Sequence, residues 1–244
     1  MAFLDAIHSE RHIDGFSKLS GTVTFYSYVR AIALKHGAKN ILDYGAGRGE
    51  TFEAPGALNT HLRDLRFNGA NVCACDIDTA VKSHPRSHEQ VVISPNRPLP
   101  FPDGAFDLIV SDMTFEHITD PQFVASELLR VLKPGGYICA RTPNKYGYVA
   151  LITKLIPNTH HVGLLKHVQP DRKAEDVFPT VYRMNTPGQV RRLFKSCEVY
   201  CFTLSAEPSY FFGSAFVYRA MLVLHRFLPS FLDTTLCLFI RKPQ

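Results

Sequence analysis

The run Asp43-Tyr44-Gly45-Ala46-Gly47-Arg48-Gly49 is the densest chemical signal in the chain. Glycine at every second position frees the backbone of Cβ atoms. The turn can then be sharp, and a ligand can lie against main-chain N–H groups. Spacing selects among the ligands that use such turns. The dinucleotide fingerprint G-x-G-x-x-G needs a glycine at 50, where Glu50 stands, and a carboxylate there would face a pyrophosphate badly. The P-loop pattern fails too, because no Gly-Lys-Ser/Thr follows. A tight strand-to-helix turn without a ligand is the plainer alternative. Asp76 favours a ligand, because it ends the next apolar run, where a carboxylate can accept both hydroxyls of a ribose. Asp78 offers the same group two residues further on, so Asp76 is preferred.

The elements that must position these residues follow from periodicity. Helix-period and strand-period stretches alternate, which predicts β-α-β units around a mostly parallel sheet. The pattern gives a helix over 18–37, a strand over Asn40–Tyr44, a helix over Leu58–Phe67 and strands over Asn71–Cys75, Val91–Ser94 and Phe106–Met113. A helix over Pro121–Leu132 begins at a proline and stops at Lys133-Pro134-Gly135-Gly136, which leads into a strand over Tyr137–Thr142. The rhythm then breaks. Residues 143–184 hold four prolines and three histidines, too long for a plain loop, and read as an inserted lid. A helix over Pro187–Ser196, a strand over Glu198–Leu204, a very apolar helix over Tyr210–Leu228 and a strand over Thr234–Arg241 complete the chain.

Composition sets outer bounds. The 244 residues fit one domain with an insertion, and 45% hydrophobic against 20% charged residues permits a sizeable core. A net charge of +5 is too diffuse for a dedicated nucleic-acid binder. The six cysteines (73, 75, 139, 197, 201 and 237) form no C-x-x-C pair and read as reduced, partly buried thiols. The opening MAFLDAIHSERHIDG lacks the basic start and apolar core of a secretory signal, so a cytoplasmic protein is expected.

Four blocks occur in order: D-Y-G-A-G-R-G at 43–49, A-C-D-I-D at 74–78, L-P-F-P-D-G-A-F-D-L-I-V-S-D-M-T-F-E-H-I at 99–118 and E-L-L-R-V-L-K-P-G-G-Y-I at 127–138. Together, over about residues 40–144, they resemble the class I S-adenosylmethionine-dependent methyltransferase family. The resemblance is nearest to the branch holding the ubiquinone and menaquinone methyltransferases and many small-molecule O-methyltransferases. It implies a Rossmann-like, doubly wound, mostly parallel seven-stranded sheet with helices on both faces and an inserted lid. The single domain, 1–244, would divide into a cofactor-binding half at 38–142, the lid at 143–184 and C-terminal strands at 185–244, with the apolar helix at 210–228.

The resemblance implies S-adenosylmethionine as cofactor. Asp43, Gly45, Ala46 and Gly47 would hold its methionine end, Asp76 its ribose, and Ile77 would pack on the adenine. The family often carries an acid for the adenine amino group before L-P-F. Here Ser94-Pro95-Asn96-Arg97-Pro98 departs from that pattern, and the Asn96 carbonyl oxygen is the substitute acceptor. Ser111-Asp112-Met113 would border the sulfonium. A sulfonium methyl is already activated, so the protein's work is alignment and exclusion of water, plus a base where the acceptor is a hydroxyl. His117 suits that role by position and by its ordinary pKa, with a packing or capping histidine as the alternative. His160 and His161, with His167, are further candidates, and Tyr146, Tyr182 and Arg183 are candidates for the acceptor pocket. Adjacent His160 and His161, with His167 six residues on, make poor chelating geometry, so no metal is expected.

The acceptor expected is a small-molecule, saccharide or lipid-linked hydroxyl. C-methylation of a quinone-like ring and non-catalytic binding of S-adenosylmethionine are the alternatives. Nucleic acid is not the expected substrate, since the Asn/Asp-Pro-Pro-Tyr/Phe motif of base methylation is missing and Thr142-Pro143-Asn144 does not replace it. The 210–228 stretch, interrupted by Arg219, His225 and Arg226, reads as a cover over the sheet edge or pocket. Peripheral contact with a membrane surface is the second reading.

Overall fold

The computed structural model describes residues 2–49, 57–148, 150–151, 179–208 and 211–244. Two short helices, α1 (Ala2–Ile7) and α2 (Arg11–Asp14), lead into α3 (Gly21–His36), whose N-terminus is capped by the Ser20 side chain accepting from the Val23 N–H. Strand β1 (Asn40–Tyr44) follows, then α4 (Ala57–Arg63), β2 (Asn71–Asp76), β3 (Glu89–Val92) and β4 (Phe106–Asp112). Helix α5 (Pro121–Val131) starts with proline at its first turn, and Asp120 caps it by accepting from the Phe123 N–H. Strand β5 (Leu132–Pro143), α6 (Pro187–Leu193), β6 (Glu198–Leu204), α7 (Ala215–Phe227) and β7 (Thr235–Arg241) complete the order.

The seven strands form one sheet in the order β3-β2-β1-β4-β5-β7-β6. Strands β1 to β5 run parallel, and β7 is antiparallel to both β5 and β6. The expected mostly parallel seven-stranded sheet is present, with helices on both faces. Residues on one face, including Leu42, Cys73, Cys75, Ile109 and Ile138, pack under Leu128 and Val131 of α5 and Val190 of α6. On the other, Ile41, Val72, Leu108, Val110 and Cys139 pack under Phe25, Val29 and Ala33 of α3 and Leu62 of α4. Alternation along each strand sends neighbours to opposite faces, and these central strands, buried on both, read as continuous apolar runs. Burying each such Leu, Ile or Phe is worth ~1.5–3 kcal/mol.

Strand order reverses between β1 and β4, which are neighbours although two strands separate them in sequence. Crossovers leave β1 to opposite sides there, opening a crevice at the carboxyl ends of the strands, the usual ligand position in such sheets. All six cysteines are free thiols, with Cys73, Cys75, Cys139 and Cys237 buried. Most of the expected lid, residues 152–178, lies outside the described residues. Among the described residues no helix is long and apolar enough to cross a membrane.

Candidate functional site

The glycine turn is built by the ends of β1 and β2. The N–H groups of Gly45 and Ala46 both donate to the Cys75 carbonyl, at 2.8 and 3.2 Å, folding the chain back across the tip of β2. Two glycines serve different purposes. Gly45 has φ +76°, and a Cβ there would sit 2.2 Å from Thr114 Oγ1, so packing against the end of β4 demands glycine. Gly47 has φ +56°, but a Cβ there would meet nothing within 4 Å. Among the described residues the space beside its Cα is open, which leaves room for a ligand.

Asp76 ties this turn to the ribose position. One of its carboxylate oxygens accepts the Gly47 N–H at 2.8 Å and the other the Asp78 N–H at 2.9 Å. A carboxylate offers about four lone-pair sites, so two remain for a diol. The turn, Asp76 and the segments after β3 and β4 surround one cavity of about 560 Å³. Gly45, Ala46, Gly47, Asp76, Ile77, Asn96 and Met113, all expected from sequence, line it. Ile77 offers an apolar wall and is about half exposed. Met113 and Asn96 hold left-handed backbone, φ +57° and +56°. Such conformations cost non-glycine residues free energy and cluster where a loop is held in a fixed shape around a ligand. Apolar walls with a few convergent polar groups, a carboxylate at the ribose distance from an uncovered glycine turn, and an amide at Asn96 fit an adenosyl group joined to an amino acid.

Asp43 and Asp112 lie elsewhere. Neither is among the residues lining the cavity. Both share the sheet face of Ile41 and Val110, under α3, where Arg141 donates to the two Asp112 oxygens from Nε and Nη2 at 2.7 and 2.8 Å. Arg63 Nη1 lies 3.9 Å from Asp112, and Thr22 Oγ1 accepts from both Arg141 and Arg63. Burial opposes the Asp112 charge, yet the Arg141 guanidinium outweighs it and holds the carboxyl below its ordinary range. Asp43 has His84 Nε2 at 3.9 Å and no bidentate partner. Burial first, then the Asp112 and Asp76 charges, push its carboxyl up to about 7.

His117 does line the cavity. Its Nδ1 is 3.0 Å from the Pro179 carbonyl, which can only accept, so Nδ1 carries the hydrogen and the neutral ring keeps its lone pair at Nε2. Nε2 lies 3.8 Å from Glu116 Oε1. Glu116 is buried, which raises its carboxyl above the ordinary range, and its other oxygen accepts from Thr142 Oγ1 at 2.8 Å. Asn185 Nδ2 in turn donates to Thr142 Oγ1 at 2.7 Å. His160, His161 and His167 fall outside the described residues. Tyr146, Tyr182 and Arg183 are not among the lining residues, and Arg183 Nη1 donates to the Thr119 carbonyl.

Sequence reasoning missed Thr114, Phe123 and Val181 as parts of the wall. Thr114 carried a signal, the first polar residue past the β4 tip. Val181 carried none, because it reaches the site through the backbone hydrogen bonds of Val181 and Tyr182 to the Glu116 carbonyl, at 2.7 and 3.2 Å.

Comparison with known proteins adds four findings. Residues 42–140 match the family model described as a methyltransferase domain. The chain is 29% identical over 158 residues to a malonyl-[acyl-carrier protein] O-methyltransferase of Hahella chejuensis, covering 63% of this chain and 52% of that protein. It is 33% identical over 112 residues to a demethylmenaquinone methyltransferase of Thermus thermophilus, covering 43% and 47%. The chain thus spans about half the length of these relatives. A S-adenosylmethionine-dependent methyltransferase of Archaeoglobus fulgidus shares the fold, with a TM-score of 0.52 at 19% identity, covering 89% of this chain and 94% of that one.

Proposed function

We infer that this chain binds S-adenosylmethionine and moves its methyl group to a hydroxyl of a small-molecule, saccharide or lipid-linked acceptor, a reading supported by the match of residues 42–140 to the methyltransferase domain model. The observation that carries the reading is the joined pair at the cavity rim: Gly47, with open space where a Cβ would stand, and the Asp76 carboxylate that accepts its N–H. Bound there, S-adenosylmethionine supplies a methyl on a sulfonium, activated without further help.

The chain's own residues do the rest. Gly45 to Gly47 give the amino-acid end a backbone surface, Asp76 accepts the ribose hydroxyls, and Ile77 with Asn96 takes the adenine. Met113 and Thr114, past the tip of β4, set the wall beside the reacting end. His117 is oriented by the Pro179 carbonyl so that Nε2 can accept the acceptor's proton. The buried Glu116 carboxylate beside Nε2 stabilises the imidazolium that results.

Calorimetry with S-adenosylhomocysteine tests the cofactor half, and a chain that binds none has no such function. Methyl transfer from labelled S-adenosylmethionine into acceptor mixtures tests the second half. His117→Ala should keep S-adenosylhomocysteine affinity while lowering turnover by roughly 10²–10⁴-fold, the usual contribution of a positioned acid or base. Unchanged turnover would remove His117 from the chemistry. Similarity to the demethylmenaquinone methyltransferase favours a second reading, C-methylation of a quinone-like ring. A product methyl on carbon selects it, and one on oxygen excludes it. Binding without turnover on any acceptor leaves a non-catalytic binder.

A further inference from the structure

Helix α7 presents its apolar side to the outside. Tyr218 is its one fully buried residue, held by His8 Nε2 at 2.8 Å from its hydroxyl and by edge contacts from Phe3 and Phe211. At 100° per residue, Phe216, Ala220, Val223, Leu224 and Phe227 fall on the side opposite Tyr218, and all five are exposed. Phe216 is 81% and Phe227 78% accessible, and Phe212 before the helix and Phe231 after it are 62% accessible each. The usual pattern of a surface helix, apolar inward and polar outward, is inverted here.

The charges within the segment have one sign. Residues 208–232 contain no Asp or Glu, while Arg219 and Arg226 are exposed along one flank of the apolar face. Aromatic anchors beside guanidinium groups match the boundary of an anionic bilayer, where rings enter the acyl region and arginines meet phosphates. Position supports the same occupant. Leu204 at the end of β6 and Pro143 at the end of β5 both pair with Thr235 at the start of β7, so the whole connection 205–234 lies at the carboxyl edge of the sheet. The cavity opens at that same edge. Asn144, directly after β5, donates to the Phe231 and Asp233 carbonyls and fixes the corner below α7.

We propose that α7, with Phe212 and Phe231, docks the protein on the surface of an anionic lipid bilayer, flat against the headgroups, at the same carboxyl edge of the sheet as the cavity. The claim stands apart from the acceptor and the methylated atom, because docking is measured with neither cofactor nor acceptor present.

The test is sedimentation of the full chain with phosphatidylcholine vesicles and with vesicles containing phosphatidylglycerol. Binding to the anionic vesicles alone is expected, weakening as salt rises above roughly 0.1 M. Phe216→Ser with Phe227→Ser should lower the bound fraction roughly tenfold or more, as loss of two inserted rings requires. Arg219→Gln with Arg226→Gln should lower it too and flatten the salt dependence. Both pairs are exposed, so circular dichroism and S-adenosylhomocysteine affinity should match those of the unaltered chain. Three outcomes would overturn the proposal: no sedimentation with either vesicle, equal binding by the phenylalanine variants, or a dimer abolished by those variants in a protein that ignores vesicles.

Discussion

Three strand ends carry an aspartate, and the structure sorts them into two environments, one at the cavity and one beneath α3. Asp76, at the end of β2, stands at the cavity and spends one lone pair of each oxygen on a backbone N–H. Asp43 and Asp112, on β1 and β4, lie beneath α3 with Arg63 and Arg141. The first environment is solvated and leaves acceptor capacity for a ligand. The second is more enclosed: there Asp112 is taken up by guanidinium groups, while Asp43 meets neighbouring carboxylates. Aspartates that read alike along the chain therefore answer to different physics: ligand affinity for Asp76, and fold stability for the buried set. Substitutions can separate the two.

The largest effect is expected in the buried cluster. Arg141→Met should destabilise the protein by about 3–5 kcal/mol in chemical denaturation, because Asp112 keeps its charge in a site whose bidentate partner is gone. Asp112→Leu together with Arg141→Met should recover most of that loss, since a buried pair replaced by apolar groups is often neutral. Affinity for S-adenosylhomocysteine should stay within about threefold in the folded double variant, the spread of ordinary context effects. A large fall in affinity there would join the two environments into one site.

Asp76→Ala inverts the pattern. Loss of a charged acceptor for two hydroxyls removes about 1.5–3 kcal/mol of binding, or ~10–100-fold in affinity by calorimetry. Stability should fall by only about 1 kcal/mol, because the two backbone donors it frees lie at a turn that water can reach. Unchanged affinity would mean that the diol is held elsewhere and that the rim pair is only a turn.

What could be read from sequence divides along the same line. Strands β1 and β6 have the boundaries expected, and α5 begins where Pro121 follows Asp120, because apolar runs and caps are local signals. Boundaries slipped where distant partners decide. Strand β3 occupies Glu89–Val92 instead of 91–94, its register set by pairing with Cys73 to Asp76. Helix α4 stops at Arg63, where Asp64 begins a turn held by Arg66 and Arg86. Strand β5 runs from Leu132 to Pro143, longer than the 137–142 expected, because Phe106 pairs with Leu132 and β7 with Pro143. In the site, the turn and Asp76 were legible because glycine spacing and a strand-end acid are chemical statements in themselves. The withdrawal of Asp112 from the cavity was not. It depends on the β4–β5 register that sets Asp112 opposite Arg141, 29 residues away.

The smallest effect separates the two members of the buried set by the sign of their pH dependence. The folded pKa of Asp43 is about 7 against an ordinary 3.8, so the native state holds this proton more tightly than the unfolded chain. Its stabilising contribution is complete below about pH 4 and declines as pH rises to about 7, where the native carboxyl finally ionises. Asp112 is depressed, so its contribution is present above the ordinary carboxylate range and is lost as pH falls through its folded pKa. Asp43→Asn should therefore gain stability relative to the unaltered chain as pH rises from about 4 to 8. Asp112→Asn should instead be less stable than the unaltered chain by a constant amount from about pH 5 to 8, a deficit that shrinks only as pH falls below the ordinary carboxylate range. Subtracting the unaltered protein's urea-denaturation profile at each pH cancels every other titrating group. Difference curves of equal sign would show that Asp43, like Asp112, is held ionised by the neighbouring guanidinium groups.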